Sequence, residues 1–526
     1  MAIRKGFVMR EYTVSEIAEI VGGELIAGDG GIKITEFSTD SRVGDAATMF
    51  VPVIGEHVDA HDFIKDAGAH GMRATFTCRR EVAESLKADD MAVVYIDIPG
   101  EKNPNVEALQ RFGAHVRGNF GIPVVGVTGS VGKTTTKEMV AMALSTGFCT
   151  LKTEGNMNSQ VGLPRMMCRL SDKHEMAVIE MGMSMPGEMA RIVRVARPEC
   201  AVITNIGVSH IEQLGTYENI LREKLNIINE FPDGGVLFVN GDDDLLREVA
   251  DAWKEVCAEG ENEYEEEDGG VLVHGVLMDV ATAKRFPHIR IVTYGTKAGC
   301  DYRSRIAGPS DGGMDFWFSC PQRQGNLTAH LAVTGKHNVQ NALAALSVAA
   351  HYGIDPERAA EGLLKYQAGE MRGRKIEVGG KILIDDTYNA CPDSMMGGID
   401  GLMMIKAKRH IAVLGDMLEL GDISSVCHSM LGDYLVRQRV DYVVAVGRDA
   451  KFYLGRASRE NGSVVSLSNA RPGARMVRMS YGMEGSYFED NASALAFLKD
   501  FLKEGDAVLF KGSRGMKLEE LVEGLM

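Results

Sequence analysis

No two of the nine cysteines (78, 149, 168, 200, 257, 300, 320, 391 and 427) stand in a C-x-x-C pair, and their number is odd. That argues against a zinc framework or a disulfide scaffold and predicts reduced, mostly buried thiols. No run of about 18 apolar residues occurs, so no membrane-spanning helix is expected. The opening stretch "MAIRKGFVMREY" shows no secretory signal pattern, and a cytoplasmic protein is the expectation. Basic residues are in short supply: 57 Lys and Arg face 73 Asp and Glu, for a formal net charge of −16. This balance argues against duplex nucleic acid or an acidic membrane surface as partner. It leaves room for an anionic small substrate, which local cations and helix N-termini can hold. Proline is scarce (14) beside 60 glycines, and 45% of the residues are hydrophobic. At 526 residues the chain is too long for one core, and about three domains of ~150 residues are expected.

The fold class read from the pattern is α/β in three domains. Residues 1–122 read as a small mixed α/β domain. In it "TVSEIAEIVGG" is a short helix with a Thr13/Glu16 capping box and a stop at Gly22 or Gly23. "KITEFSTDSR" alternates like a strand running into a polar loop. Residues 123–370 form a central domain of the P-loop ATPase type. Its apolar runs "IPVVGVTG", "MAVIEMG", "CAVITNIG" and "GVLFVNGD" are spaced by helical stretches, the reading for buried parallel strands. Ligands of such sheets gather outside the strand carboxyl ends, where Lys133, Glu180, His210 and Asp242 fall. The acidic stretch "AEGENEYEEEDGG" (258–270) is read as a solvated loop. Residues 371–526 repeat the strand pattern in "KILIDDTY", "RHIAVLGDM", "DYVVAVGRD" and "DAVLFKGS", which predicts a Rossmann-like domain without its own phosphate loop.

The sharpest motif is "GVTGSVGKTTT", a glycine-rich turn between a predicted strand and a predicted helix. Its backbone N–H groups can cradle phosphate, Lys133 can neutralise β/γ-phosphate charge, and the Thr134 hydroxyl can ligate Mg²⁺. The strict G-x-x-x-x-G-K-[ST] spacing is not met, because its first glycine would fall on Val127. The run is T-G-x-x-G-K-T, from Thr128 and Gly129 through Ser130, Val131 and Gly132 to Thr134 and Thr135.

Three further residues carry chemistry. Glu180 ends a predicted strand, as a Mg²⁺ ligand or as an ordinary strand-end acid. His210 follows the next strand, as a structural histidine or a metal ligand. In "TYENILREKLNIINEF", Tyr217, Ile220, Leu221, Lys224 and Ile228 share one helical face, so Lys224 points inward with an apolar stripe. Either its stem snorkels to solvent or its amine is buried with a lowered pKa. A neutral amine can capture CO₂ and become a carbamate, an oxygen ligand for a hard cation.

The motifs "TGSVGKTTTKEM", "TEGNMNSQVGLP", "VIEMGMSMPGEM", "TNIGVSHIEQLG", "GKHNVQNALAA", "LIDDTYNACPDSM", "LGDMLELG" and "VLFKGSRGMKLE" resemble, in order, those of the Mur ligases of bacterial cell-wall synthesis. The resemblance covers nearly the whole chain, including "STDSR" and "GEHVDAHDF". It implies ATP-dependent amide-bond formation. The γ-phosphoryl group of ATP passes to a peptide carboxylate, and an amine displaces it from the acyl phosphate. The implied partners are UDP-N-acetylmuramoyl-tripeptide and D-alanyl-D-alanine, and the implied state is a monomer that closes on ATP about a hinge near 370. A sister ligase adding diaminopimelate or lysine is the alternative, although no "DNPR"-type motif is present. A nucleotide-binding protein that has lost catalysis, or a P-loop kinase acting on a hydroxyl, are readings from other classes. Glu180, His210 and Lys224 together argue against the former.

Carried over residue by residue, Lys133 is the phosphate-binding lysine, and Thr134 and Glu180 are ligands of one Mg²⁺. His210 matches the ligand of a second, and Lys224 matches the family's carbamylated lysine, whose carbamate would hold one of the metals. Asn341 matches the adenine contact, and Arg374 and Asp386 match contacts to phosphate and ribose, with Arg372 competing for the place of Arg374. Ser41 and Arg42 match the grip on the uridine diphosphate end. Asn156, Asn158, Tyr388 and Asn389 match residues around the acceptor and the reaction centre. Cys391 stands where the family usually has Asn.

Overall fold

A computed structural model describes residues 9–86, 91–259, 265–267, 270–310, 313–454, 475–478 and 484–526. The first helix is Val14–Val21. Thr13 and Glu16 form the predicted reciprocal cap, and Gly22 ends the helix in the left-handed region at φ 72°. Beyond it lies a sheet in the order Glu24–Ala27, Ala92–Tyr95, Ala74–Thr77, Thr48–Phe50, Glu36–Ser38, parallel except for its first pair. Phe37, Phe76 and Phe112 fill the core between this sheet and the helix Pro104–Gly118.

The central sheet has nine strands among the described residues. Their order is Leu327–Leu331, Gly313–Ser319, Tyr302–Ser310, Arg290–Gly295, Val236–Asn240, Cys200–Ile203, Val124–Thr128, Met176–Glu180, Thr150–Lys152. The four predicted strands are neighbours in its parallel part. Alternation puts Val124, Ala177, Ile179, Ala201 and Leu237 into one core and Val125, Val178, Val202 and Phe238 into the other, so both faces are covered. The helices Lys133–Leu144 and Lys336–His351 pack on the second face.

The structure departs from the sequence reading in two places here. The central sheet continues into an antiparallel meander over 302–331 that the apolar runs do not announce. Within the acidic stretch read as a loop, Glu265–Glu267 is a strand paired antiparallel with Gly270–Val273. Residues 260–264 and 268–269 of that stretch lie outside the described residues.

The third sheet runs Arg374–Val378, Lys381–Asp385, Asp506–Lys511, Arg409–Gly415, Tyr442–Val446, Glu484–Phe488, Arg475–Arg478. Its inner five strands are parallel and its two edge strands antiparallel. All nine cysteines are free, five of them buried. Among the described residues no helix is long and apolar enough to cross a membrane.

Candidate active site

A cavity of about 1040 Å³ opens where the carboxyl ends of the central sheet face the third sheet. The glycine turn forms its floor. Gly129, at φ 143°, approaches Thr204 so closely that a Cβ there would meet its Oγ1 at 1.9 Å. Gly132, at φ 84°, caps the helix Lys133–Leu144, and only glycine adopts both conformations without strain. The loop after the neighbouring strand clamps this turn. Asn205 Oδ1 accepts from the Val131 N–H (2.8 Å), the Thr204 hydroxyl donates to Val131 O (2.5 Å), and the Gly207 N–H donates to Ser130 Oγ (2.8 Å).

Lys133 folds back over the turn and donates to the carbonyls of Gly129 (2.8 Å) and Ser130 (3.3 Å). Desolvation pulls its ammonium below the ordinary lysine range, and the Glu180 carboxylate opposes that pull. Glu180 ends its strand at 3% exposure. Its Oε1 accepts from Asn158 Nδ2 at 2.7 Å, and its own N–H donates to Thr153 Oγ1 at 2.9 Å. The other carboxylate oxygen, Oε2, is buried without a hydrogen-bond partner. An orphaned carboxylate oxygen facing a phosphate turn, with the Thr134 hydroxyl also on the cavity wall, is a donor set that suits a hard divalent cation. Among the described residues no three His, Cys, Asp or Glu side chains converge as ligands.

His210 holds a left-handed backbone, φ 65°, at the N-terminus of the turn Ile211–Leu214. Its Nδ1 lies 2.8 Å from Glu419 Oε2 of the third sheet's loops. The contact is close but does not align as a hydrogen bond, since Nδ1 counts among the unpartnered buried atoms. It holds the Glu419 carboxyl below its ordinary range. Lys224 is 1% exposed on the helix Tyr217–Leu225, and burial, with the Lys133 charge adding to it, holds its amine well below the lysine range. It stands behind the cavity wall rather than among the lining residues. Ile220, Leu221 and Ile228 share its buried stripe as expected, but Tyr217, at the helix start, is 43% exposed.

The third sheet supplies the opposite wall. Arg372 and Arg374 both line it. Arg372 stacks on the Tyr388 ring with its Cζ 3.8 Å from the centroid, and its charge reaches Lys133. Arg374 is exposed at the start of its strand. Asp386 is paired with Lys511 Nζ at 2.6 Å, and Lys511 also donates to Asn389 O. Asn341 reaches the turn from its own helix, where Oδ1 accepts from the Thr136 hydroxyl at 3.1 Å.

The cavity thus gathers Ser130 to Thr135, Asn158, Glu180, His210, Asn341, Arg374, Asp386, Tyr388 and Asn389 of the predicted residues. Thr128 lies beneath it, fully buried. Asn156 is exposed and outside the lining; half-buried Ser41 and exposed Arg42 also lie outside it, the latter held in a bidentate pair with Asp40. Sequence reasoning missed Lys511, Glu419 and Asp393. All three stand inside quoted motifs, and only their surroundings across the fold reveal them.

Comparison with known proteins agrees with this geometry. The profile of the Mur ligase middle domain matches residues 127–270 and 267–349, and that of the Mur ligase glutamate ligase domain matches 371–514. The UDP-N-acetylmuramoyl-tripeptide–D-alanyl-D-alanine ligase of Bacillus subtilis (strain 168) is 33% identical over 521 residues, covering 98% of this chain and 99% of the relative. Its counterpart in Escherichia coli (strain K12) is 29% identical over 524 residues, with 98% and 99% covered. The crystal structure I of MurF from Acinetobacter baumannii superposes with a TM-score of 0.78 at 27% identity, over 98% of this chain and 99% of that one. The MurF ligase of Thermotoga maritima, solved in complex with ADP, gives 0.70 at 26% identity over 93% and 96%. With its phosphate turn, strand-end carboxylate and facing third sheet in this arrangement, the chain belongs to the Mur ligase family.

Proposed function

We infer that the protein is an ATP-dependent ligase that joins D-alanyl-D-alanine to UDP-N-acetylmuramoyl-tripeptide through an acyl phosphate, in peptidoglycan precursor synthesis. The observation that carries this reading is the cavity itself. A phosphate turn with Lys133 and Glu180 on one wall faces Arg372, Asp386 and Lys511 on the other. Full-length similarity to ligases of that name supports the choice of substrates.

The chemical difficulty is that carboxylate and triphosphate are both anions. The N–H groups of the turn and the Lys133 ammonium offset the phosphate charge, and Arg372 adds a second cation from the facing wall. Thr134 and Glu180 would hold one Mg²⁺, and His210 with a carbamate on Lys224 would hold a second. Bound there, the ions would spread the charge of the transferring phosphoryl group. The Lys224 environment favours a neutral amine, the form that captures CO₂. Asn158 keeps Glu180 aimed, and Tyr388 keeps Arg372 aimed. Lys511 fixes Asp386 for a hydroxyl-rich ligand such as ribose.

In this reading residues 1–122 grip the uridine diphosphate end through Ser41 and Arg42, residues 123–370 bind ATP, and residues 371–526 close over it. The protein works as a cytoplasmic monomer. The test is ADP release with UDP-N-acetylmuramoyl-tripeptide and ATP, run with the dipeptide, with diaminopimelate, with lysine, and with no acceptor. Turnover that needs D-alanyl-D-alanine is expected. Turnover with a free amino acid instead would move the protein to a sister activity.

A further inference from the structure

Six carboxylates line the cavity: Glu180, Glu188, Asp242, Asp243, Asp386 and Asp393. Five are engaged by the protein. Glu180 is held by Asn158, and Glu188 accepts from the N–H groups of Ser184 and Met185 and from Gln160. Asp242 accepts from the N–H groups of Thr296 and Lys297, Asp243 from those of Ile206 and Leu246, and Asp386 is paired with Lys511. The Asp393 carboxylate has no hydrogen bond or ion pair with any described residue.

Its position makes that absence informative. Asp393 stands in the first turn of the helix Pro392–Met403 on the third-sheet wall. Its Oδ2 presses on Gly207 of the opposite wall, so that a Cβ added there would fall 2.5 Å from it. Gly207 is the residue whose N–H donates to Ser130 Oγ of the phosphate turn. An unpaired carboxylate therefore sits one residue away from a site built for polyphosphate. Asp393 is exposed to the open cavity, so its carboxylate is accessible to a ligand, and its closeness to the second wall and to the Asp243 charge raises its carboxyl above the ordinary range, which favours a cation beside it. Charge of this sign next to a triphosphate is repulsive unless a cation stands between them.

The reaction brings one such cation in addition to metal. The acceptor arrives as an α-ammonium ion, and its nitrogen must be placed against the acyl phosphate. We propose that Asp393 is an acceptor-binding residue whose carboxylate takes hydrogen bonds from the α-ammonium group of the incoming dipeptide and holds that nitrogen on the phosphate-turn side of the cavity. This rests on the ligase reading above. It also selects the dipeptide over water as occupant of the acceptor site, because only a cation compensates the carboxylate; the ammonium then gives one proton to the Asp393 carboxylate before the neutral nitrogen attacks.

The test compares wild type with Asp393→Asn and Asp393→Glu in phosphate release at varied dipeptide, ATP and Mg²⁺. A hydrogen bond between charged groups of this kind is worth about 10–100-fold in binding. Asp393→Asn is therefore expected to raise the KM for D-alanyl-D-alanine by that factor and to move the KM for ATP less than about 2-fold, with Asp393→Glu recovering part of the loss. N-acetyl-D-alanyl-D-alanine, which lacks the ammonium group, should inhibit wild type and Asp393→Asn with the same weak constant. An unchanged dipeptide KM in Asp393→Asn overturns the proposal. So does a rise confined to the Mg²⁺ needed for half-maximal rate, which would make Asp393 a metal residue. A wild-type protein that releases no phosphate with all reactants present overturns the ligase reading and this proposal with it.

Discussion

The Asn158 amide donates to one carboxylate oxygen of Glu180 across 2.7 Å and leaves the other oxygen buried and unpartnered. Asn158 thereby fixes the carboxylate while keeping one oxygen available on the phosphate side. Glu180→Gln keeps the shape and removes the charge, and it should lower kcat for ADP release by about 10²–10³-fold. Asn158→Ala leaves the charge and frees the rotamer, so a smaller fall is expected together with a higher Mg²⁺ requirement. Equal activity of Glu180→Gln and wild type at saturating Mg²⁺ would remove Glu180 from the ion site.

Lys224 lies within reach of the Lys133 charge in a dehydrated environment, so two ammonium groups there would repel each other. Conversion of Lys224 to a carbamate replaces that repulsion with attraction and supplies two oxygens. Lys224→Ala should therefore lose about 10²–10³-fold in rate. Short-chain carboxylic acids added to the variant should restore part of it by occupying the vacated space. Full activity of Lys224→Ala without any additive would eliminate the carbamate role.

Arg372 and Arg374 are two residues apart, and only one can be the stronger phosphate contact. Arg372 is stacked on Tyr388 and its charge is felt at Lys133, whereas Arg374 is exposed at a strand start. A stacked guanidinium is pre-organised and loses less entropy on binding an anion. Arg372→Ala should raise the KM for ATP about 10-fold or more, and Tyr388→Ala should follow it in part. Arg374→Ala should do less. The reverse order in ATP titrations would return the role to Arg374.

Local signals made much of this arrangement readable in the sequence. The strand–turn–helix around Lys133, the strand end at Glu180 and the Thr13/Glu16 cap each depend on a few neighbouring residues, and period-2 and period-3.6 patterns report them directly. Lys224 was legible because Ile220, Leu221 and Ile228 mark its face, while Tyr217 misled because a helix start projects beyond the packed stripe. The meander over 302–331 escaped because its strands Gly313–Ser319 and Leu327–Leu331 mix buried with half-buried and exposed residues, unlike the wholly apolar runs of the parallel strands. Lys511 and Asp393 were hidden for a different reason. What sets them apart is a partner, or the lack of one, more than a hundred residues away in the chain, and no spacing rule reports that.

The last expectation concerns how Glu180 is held from behind. Glu138 pairs with both Lys137 and Lys152, and the buried Lys137 also donates to Thr153 O at 2.8 Å. Thr153 Oγ1 is the acceptor for the Glu180 N–H, so the ion cluster supports the strand end that presents Glu180. Burial works against the Glu138 charge, but Lys137 and Lys152 outweigh it and hold the carboxyl below its ordinary 4.5. A depressed folded-state pKa means that this stabilisation is complete above about 4.5 and is lost as pH falls through the lower folded value. Glu138→Gln leaves Lys137 as a buried cation with one partner fewer, a change that costs on the order of 1–3 kcal/mol. Urea unfolding should therefore separate Glu138→Gln from wild type at pH 7, with the gap narrowing once pH drops below 4.5. A gap of constant size from pH 7 to about pH 3 would show that the charge of Glu138 is not what holds the cluster together.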